Sequence, residues 1–421
     1  MNITRQKGCK DILPEEIKIW QYIENEIKNI CKSYNINEIR TPVFEATELY
    51  ARGVGDETDI VNKEMYTFLD KGNRSITLRP ELTAGVVRAY IENGMSSKMQ
   101  SPVKLWYTGN MYRYEKMQKG RYREFCQFGV EYFGSNSYLA DIETICVSYE
   151  LLKRLELSDK IKLTINSIGC EKCRKEYIEK LKEYINVSLD KMCDTCKVRF
   201  NKNPLRMLDC KEEKCKVILD NAPVITECLC EECKADFENV KKALNELNIP
   251  YEVDTRIVRG LDYYNKTVFE YISKDLGLAV GGGGRYDKLV STLGGANTPA
   301  VGFGMGMDRL VLLLKEYGFD NKIKNKVDLY FLTDDNTYIN SLEYVNKLRE
   351  AGYVVETNIQ GRSFNAQFKY ANKINASFVI IIGEEELKNK ECCIKNMETG
   401  NQETIKLDID SIKEKINNAW I

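Results

Sequence analysis

From Glu124 to Gly134 the chain alternates like an extended strand. A period of two puts Phe125, Gln127, Gly129, Glu131 and Phe133 on one face and Cys126, Phe128, Val130 and Tyr132 on the other. The second face is ordinary core. The first sets an amide and a carboxylate on either side of a glycine, about 13 Å apart along the strand. A mid-strand glycine marks close approach by a ligand or another backbone, although a solvated face with two polar residues shares the pattern. Upstream, Arg113 and Glu115 share a face, and Lys116, Lys119, Arg121 and Arg123 follow in a basic loop before Phe125. A guanidinium fork grips oxyanions bidentately, so an arginine fixed beside such a loop suits a polyphosphate. A third segment, Gly302-Phe303-Gly304-Met305-Gly306-Met307-Asp308-Arg309, runs into Leu310–Leu314. Its glycines let a backbone pass close under a flat ligand, and the arginine emerges at the head of a helix. A glycine-rich strand packed on a helix accounts for the glycines but not for the terminal Asp-Arg. The Gly281–Gly284 run lacks the spacing of a dinucleotide-binding fingerprint.

What is missing also limits the chemistry. The 421 residues include no histidine, which excludes Ser-His-Asp and Cys-His nucleophiles, His-ligated metals and imidazole bases. Catalysis falls to arginine, lysine, carboxylates, backbone amides or the substrate itself. Cysteine, by contrast, occurs fifteen times. Cys170-x2-Cys173, 19 residues and then Cys193-x2-Cys196 match a four-thiolate zinc spacing, and Cys210-x4-Cys215 with Cys230-x2-Cys233 could make a second site. A set of reduced, metal-free thiols is the alternative. The net charge of −1 means that nucleic acid would have to be met by a local basic patch. No long apolar run appears, and Met1–Lys10 has no apolar signal core, so a cytoplasmic location is expected.

Several elements must position these groups. Pro14, Glu15 and Glu16 open a helix with proline and acids in its first turn, and Ile17, Trp20, Ile23, Ile27 and Ile30 repeat along one face. The extended stretch Ile39–Phe44 contains Pro42, which suits an edge or a subunit boundary. Two antiparallel strands are predicted over Lys104–Glu115 and Glu124–Gly134. Residues 159–256, cysteine-rich and charged, read as an insertion. From Val327 apolar strands (Val327–Leu332, Phe378–Ile382) alternate with helical stretches (Ser341–Leu348, Phe364–Ile374), a small α/β domain joined through Lys322–Lys326.

Taken together the motifs resemble the class II aminoacyl-tRNA synthetases: Arg113-Tyr114-Glu115 with the basic loop and Arg121…Phe125, the Gly302–Arg309 segment, and Pro42 in the first, dimer-forming motif. Within that class, Arg259-Gly260-Leu261-Asp262-Tyr263-Tyr264 and Gly282-Gly283-Gly284-Arg285-Tyr286-Asp287 are similar to two segments peculiar to the histidyl-tRNA synthetases. The resemblance spans about residues 5–400. It implies an α+β catalytic domain with an antiparallel sheet flanked by helices over residues 1–158 and 257–320. The Cys-rich insertion (159–256) would grip the tRNA acceptor arm, and an α/β anticodon-binding domain would occupy 327–421. The implied activity is ligation of L-histidine to its tRNA through a histidyl-adenylate, with ATP and Mg²⁺, in a cytoplasmic homodimer. The alternative is a non-catalytic paralogue that senses histidine as a regulatory subunit of histidine biosynthesis.

Roles follow from the same resemblance. Arg113 would hold the α-phosphate, Arg121 and Arg309 the γ end, Phe125 the adenine, with Glu115 beside them, and Arg259 would be the catalytic cation. Glu81, Leu82 and Thr83 would meet the amino group, with Arg113 and Arg259 close by. Gln127, Glu131, Tyr263, Tyr264 and Tyr286 would form the side-chain pocket. Lys116, Gln118 and Arg123 would face tRNA. Two departures stand out: Cys126 replaces a usual family histidine, and Lys116-Met117-Gln118 replaces Arg-Pro-Gln, keeping the charge but losing the fork. Drift in a compositionally biased genome is one account of the missing histidines; the other is selection, since a histidine-free chain would continue to be translated during histidine starvation, when histidine-containing proteins stall.

Overall fold

Proline at the first position and two acids in the first turn start the helix Pro14–Ser33, which buries Ile19, Trp20, Ile23, Ile27 and Ile30. Each such side chain contributes roughly 1.5–3 kcal/mol on burial. The structure is a computed structural model that describes residues 3–55, 58–319 and 327–418. The expected linker Lys322–Lys326 lies outside the described residues. The chain divides into two compact units, residues 1–320 and 321–421, and each is described by itself.

The first unit is built on an eight-stranded sheet. In order its strands are Asn37–Glu38, Val103–Tyr112, Glu124–Phe133, Ala300–Gly306, Ala279–Arg285, Asn265–Ser273, Ile161–Ser167 and Glu252–Val253. The inner pairings are antiparallel and the two short edge pairings parallel. Register across the hairpin sets Tyr107 opposite Gly129 and Leu105 opposite Glu131. In the next strand Gly302 lies opposite Glu131 and Gly306 opposite Gln127. Phe128, Val130 and Tyr132 are buried, as the alternation predicts. A three-stranded sheet, Phe44–Ala46, Ser75–Leu78 and Tyr66–Leu69, lies in the same unit.

The segment around Pro42 is not a strand. Arg79 holds it from the side, donating to the carbonyls of Thr41 at 2.8 Å and Pro42 at 3.3 Å. Strand pairing also reaches into both ends of the segment 159–256. Ile161–Ser167 pairs along its whole length with Asn265–Ser273, and Glu252–Val253 pairs with it from the other side. The segment outside the sheet therefore begins after Ser167, and its helices (Glu171–Asn186, Asp194–Lys202, Glu213–Leu219, Glu231–Glu246) are highly charged. Their buried side chains, among them Tyr177, Leu181, Cys215 and Leu219, belong to the same core as Tyr107, Val268 and Tyr286.

The second unit has a five-stranded sheet in the order Val355–Thr357, Val327–Thr333, Ala376–Ile382, Glu391–Asn396 and Gln402–Lys406. The first three strands are parallel, joined through the helices Tyr338–Glu350 and Phe364–Lys373. The last two form an antiparallel hairpin.

Candidate active site

One cavity gathers most of the residues singled out above. Arg113, Glu115, Arg121, Phe125, Gln127 and Arg309 line it, facing Glu81, Thr83, Arg259, Tyr263 and Tyr264. Gly281, Gly282, Gly304 and Gly306 contribute its floor. The glycines serve two purposes. A Cβ on Gly304 would meet nothing nearer than Gln127 Oε1 at 3.8 Å, so ligand can lie there. A Cβ on Gly129 would collide with the Tyr107 ring, one on Gly302 with the Glu131 carboxylate, and one on Gly282 would sit 2.7 Å from Arg259 Nη1. The space beside Gly129 is thus filled by the protein's own tyrosine from the neighbouring strand.

At one end cations converge. Arg113 Nε donates to the Pro80 carbonyl at 2.7 Å, and its guanidinium lies 5.3 Å from the Phe125 ring centre. Arg121 Nε is 3.0 Å from Glu115 Oε2, with Arg113 Nη1 3.8 Å from the other oxygen. Arg309 donates to the carbonyls of Gly120 (3.2 Å) and Ala279. Burial lowers the pKa of Arg309, and repulsion from Arg121 and Arg113 adds to the effect while Glu115 opposes it. Guanidiniums stay charged in proteins, so crowding them here creates an excess of positive potential that an oxyanion relieves. Asp308, the other half of the terminal pair, also lines the cavity, and its carboxylate is held by the protein's own groups. It accepts from the Cys126 N–H at 2.8 Å and lies 2.9 Å from Lys10 Nζ, pinning the helix Met307–Glu316 to the sheet.

Arg259 approaches from the Arg259–Tyr264 loop. Its Nη1 donates to Glu270 Oε1 at 2.8 Å. Burial works against its charge, but Glu270 and the nearby tyrosines outweigh that and raise its pKa. Its Nε is buried and has no hydrogen-bond partner among the described residues. A buried donor left open costs free energy unless a ligand supplies the acceptor.

The other end is polar and enclosed. Glu81 accepts from the backbone N–H groups of Thr83 (2.7 Å) and Ala84 (2.9 Å), capping the helix Thr83–Glu92, and burial raises its carboxyl pKa. Glu131 is 1% exposed. It accepts from Thr83 Oγ1 at 2.7 Å, Tyr107 Oη at 2.9 Å and Tyr286 Oη. Burial pushes its carboxyl up to about 8, with the hydroxyl bonds pulling the other way. Tyr263 packs against both Tyr264 and Tyr286, with ring centres 4.7 and 5.4 Å away. Leu82, Glu131 and Tyr286 stand behind the wall, whereas Glu81, Thr83, Tyr107 and Gln127 are on it.

The three residues assigned to tRNA lie outside the cavity lining. Lys116 and Gln118 are exposed, and the backbones of Gln118 and Arg121 bond each other across a tight turn. Arg123 stacks on Tyr114, 3.7 Å from the ring centre.

The cysteines are grouped differently from the sequence expectation. Cys170 and Cys173 meet Cys230 and Cys233, while Cys193 and Cys196 meet Cys210 and Cys215. The consecutive reading joined neighbours in sequence; the helices instead fold so that the inner two pairs close on each other and the outer two close around them. Among residues the sequence reading missed, Tyr107 is detectable from hairpin register opposite Gly129. Glu270 carries no comparable signal, whereas Arg285 falls within the quoted Gly282–Asp287 segment without a role assigned to it. Arg285, 1% exposed, is a buried tie to Asp141 (2.9 Å) and to the carbonyls of Ser135 and Ser137 (both 2.8 Å).

Fold and site together define a class II aminoacyl-tRNA synthetase. A profile described as histidyl-tRNA synthetase matches residues 8–310, and one described as an anticodon binding domain matches residues 332–418. A histidine–tRNA ligase of Acetivibrio thermocellus is 52% identical over 407 residues, covering 96% of this chain and 97% of its own. The one from Caldanaerobacter subterraneus is 51% identical, covering 98% and 99%. The crystal structure of apo histidyl-tRNA synthetase from S. aureus superposes with a TM-score of 0.83 at 39% identity, covering 99% of this chain and 100% of that one. The chain belongs to the histidyl-tRNA synthetase family.

Proposed function

We propose that this chain is a histidine–tRNA ligase that works in two steps at the cavity described. The carboxylate of L-histidine attacks the α-phosphorus of ATP, the α–β anhydride bond breaks, and pyrophosphate leaves. A ribose hydroxyl at the 3′ end of histidine tRNA then attacks the carbonyl of the adenylate, releasing AMP and the hydroxyl proton. The observation that carries this is the placement of Arg113, Arg121 and Arg309 at one end of a glycine floor and the Glu81–Gln127–Tyr264 pocket at the other, with Arg259 between.

Each group then has a task set by its surroundings. Phe125 and the glycine floor take the adenine, and Arg121 and Arg309 take the outer phosphates. Arg113 and Arg259 neutralise charge that builds on the α-phosphoryl and carboxylate oxygens, a preorganised electrostatic role. The open Nε of Arg259 is suited to it. Mg²⁺ accompanies ATP, and Glu115 is a carboxylate in the right wall to hold it. Glu81 and Thr83 bind the amino group. Gln127, Tyr263 and Tyr264 meet the side chain, with Leu82 packed behind; Glu131 acts through Thr83, Tyr107 and Tyr286, fixing their hydroxyls so that an imidazole's two nitrogens find partners. Lys116, Gln118 and Arg123 contact tRNA. The chain acts in the cytoplasm, and as a homodimer, the second reading being supported by the exposed apolar residues Val43, Phe44, Phe68 and Leu69 near the Pro42 segment. The cysteine-rich segment carries structural zinc. A histidine sensor without catalysis would have no use for four intact ATP-handling arginines.

The test is ATP–pyrophosphate exchange. The wild-type chain is expected to exchange only with histidine present, and Arg259→Gln to lose about 10²–10³-fold in rate. Exchange that is indifferent to histidine, or a variant within threefold of wild type, overturns the assignment.

A further inference from the structure

The eight cysteines outside the sheet form two clusters with the same internal design. In each, four sulfurs lie within 4.8 Å of one another. The measured separations are 3.5 Å for Cys170–Cys173, 3.9 Å for Cys170–Cys230 and 3.8 Å for Cys193–Cys210. None of these is a disulfide, which needs about 2.05 Å. Four sulfurs placed tetrahedrally at about 2.3 Å from a zinc ion would be about 3.8 Å apart. Each cluster also sends a backbone N–H from one cysteine pair onto a sulfur of the other: Cys230 N–H to Cys173 Sγ at 3.1 Å, and Cys193 N–H to Cys215 Sγ at 3.3 Å. Cys170, Cys193 and Cys230 each stand at the N-cap of a helix, where the backbone dipole favours a thiolate. Gly169 has φ +63°, and a Cβ there would collide with Cys173, so the turn into the first pair closes only on glycine.

What the clusters are attached to is equally specific. The helix Asp194–Lys202, capped by Cys193 and carrying Cys196, ends at Asn203, and the 3-10 turn Pro204–Met207 that follows directly carries Arg206, which donates to Asp262 Oδ1 at 2.9 Å and to the Gly260 carbonyl at 2.7 Å. Asn203 also donates to Asp262 at 2.9 Å. The helix that starts at Cys170 carries Arg174, which donates to the Tyr264 carbonyl at 3.1 Å. The backbone N–H of Lys266 reaches the Gly169 carbonyl at 2.9 Å, and its Nζ contacts Glu232 and Asp236 of the helix that starts at Cys230. Both clusters therefore grip the stretch that presents Arg259, Tyr263 and Tyr264.

We propose that these are two four-thiolate Zn²⁺ sites, Cys170/Cys173/Cys230/Cys233 and Cys193/Cys196/Cys210/Cys215, and that together they brace the Arg259–Tyr264 loop. All-sulfur tetrahedral donors select zinc or a single iron among common metals. Each zinc closes a chain loop: the outer site joins knuckles 57 residues apart and the inner site encloses a shorter loop nested inside it. Metal binding is then folding free energy for this segment, whose two inner helices, 9 and 7 residues long, are too short to persist alone. The brace rests on the ligase reading of Arg259; the metal sites stand without it.

The full chain, purified without chelator, should contain two zinc ions per chain by elemental analysis. One ion or none, or iron in its place, overturns the sites while leaving histidine-dependent exchange to be judged separately. Pairing is tested with two double variants. Cys170→Ser/Cys230→Ser removes ligands from one site and should keep one zinc, whereas Cys170→Ser/Cys193→Ser strikes both and should keep none; the reverse pattern overturns the pairing. Should both variants misfold, oxidative release of metal from the wild-type chain and peptide mapping give the same answer. Disulfides should join the 170–173 peptide to 230–233; joining to 193–196 overturns the pairing. For the brace, stripping zinc should speed amide exchange in residues 258–264 at least tenfold and leave residues 124–133 unchanged. Unaltered exchange in the loop overturns it.

Discussion

The glycine-floored sheet and the cysteine-rich segment lie in one compact unit but are held together in opposite ways. The sheet strands Val103–Tyr112 and Glu124–Phe133 pair over ten residues without interruption. Their ladder fixes side-chain positions before any ligand arrives, so Tyr107 meets Gly129 and Glu131 meets Gly302 through register alone. The helices of the cysteine segment are 16, 9, 7 and 16 residues long. They share one apolar core with the sheet, yet at their tips the contacts are sulfur to sulfur. Order in the first region comes from backbone pairing; in the second, clustered cysteine side chains join the helix ends. A site that must hold a carboxylate and three hydroxyls in place is built on the first kind of support, and the loop that closes over it on the second.

The strongest test of that contrast removes the hub of the sheet site. Glu131→Ala leaves the hydroxyls of Thr83, Tyr107 and Tyr286 without their shared acceptor and opens a void beside Gly302. Each stranded buried hydroxyl costs roughly 1–3 kcal/mol. Histidine-dependent pyrophosphate exchange should fall by at least about 10³-fold, as expected when a pocket built on paired polar groups loses its pairing. ATP binding, which depends on the distant arginines, should change less than threefold, and zinc content not at all. Exchange retained within tenfold would show that Glu131 does not organise the pocket.

Much of the site was legible in the sequence because strands expose their logic with a period of two. Gln127, Gly129 and Glu131 could be assigned to one face, and Arg113, Arg121 and Phe125 to a basic hairpin, from spacing alone. The roles were narrowed by resemblance, and the cavity gathers those residues. Sequence could not say that Glu131 stands behind the wall, because that depends on which strand lies beside it and on Tyr107 filling the space at Gly129. Nor could it pair the cysteines. Four pairs allow more than one grouping, and the choice depends on helix packing over tens of residues. Ile161–Ser167 was placed in the insertion because it neighbours the cysteines, whereas its partner in the sheet is a hundred residues away.

A smaller effect separates register from side-chain chemistry. Gly129→Ala leaves Tyr107 and Glu131 in place chemically but puts a methyl where the Tyr107 ring lies. Overpacking of this kind costs about 1–3 kcal/mol. The Tyr107 hydroxyl must then leave Glu131, so the KM for histidine should rise about tenfold while the KM for ATP stays within twofold. Gly304→Ala is the control. Its Cβ meets only Gln127 Oε1 at 3.8 Å, so stability should hold and the loss should fall on ligand binding. Equal loss of stability in the two variants would mean that the glycines are not divided between protein and ligand.

The last expected effect concerns protons. Burial holds the Glu131 carboxyl near 8 in the folded chain, against an ordinary value near 4.5 when unfolded. Between those limits the folded state keeps a proton that the unfolded state has released, so this group makes the chain less stable as pH rises from about 4.5 to 8 and adds no further slope above. Glu131→Gln keeps an acceptor for the hydroxyls but cannot ionise. At pH 5 both chains hold a neutral group at this position; at pH 8 the wild type has begun to carry a buried carboxylate and the variant has not. Over these three pH units the wild type loses roughly 3–4 kcal/mol of linkage that the variant does not, so the melting temperature of the variant relative to wild type should rise by roughly 5 °C from pH 5 to pH 8. The cysteines are identical in the two chains, so their titration cancels in the difference and what remains belongs to the sheet. A difference that stays level across this range would place the Glu131 carboxyl in a more polar setting than its three hydroxyl partners and 1% exposure provide.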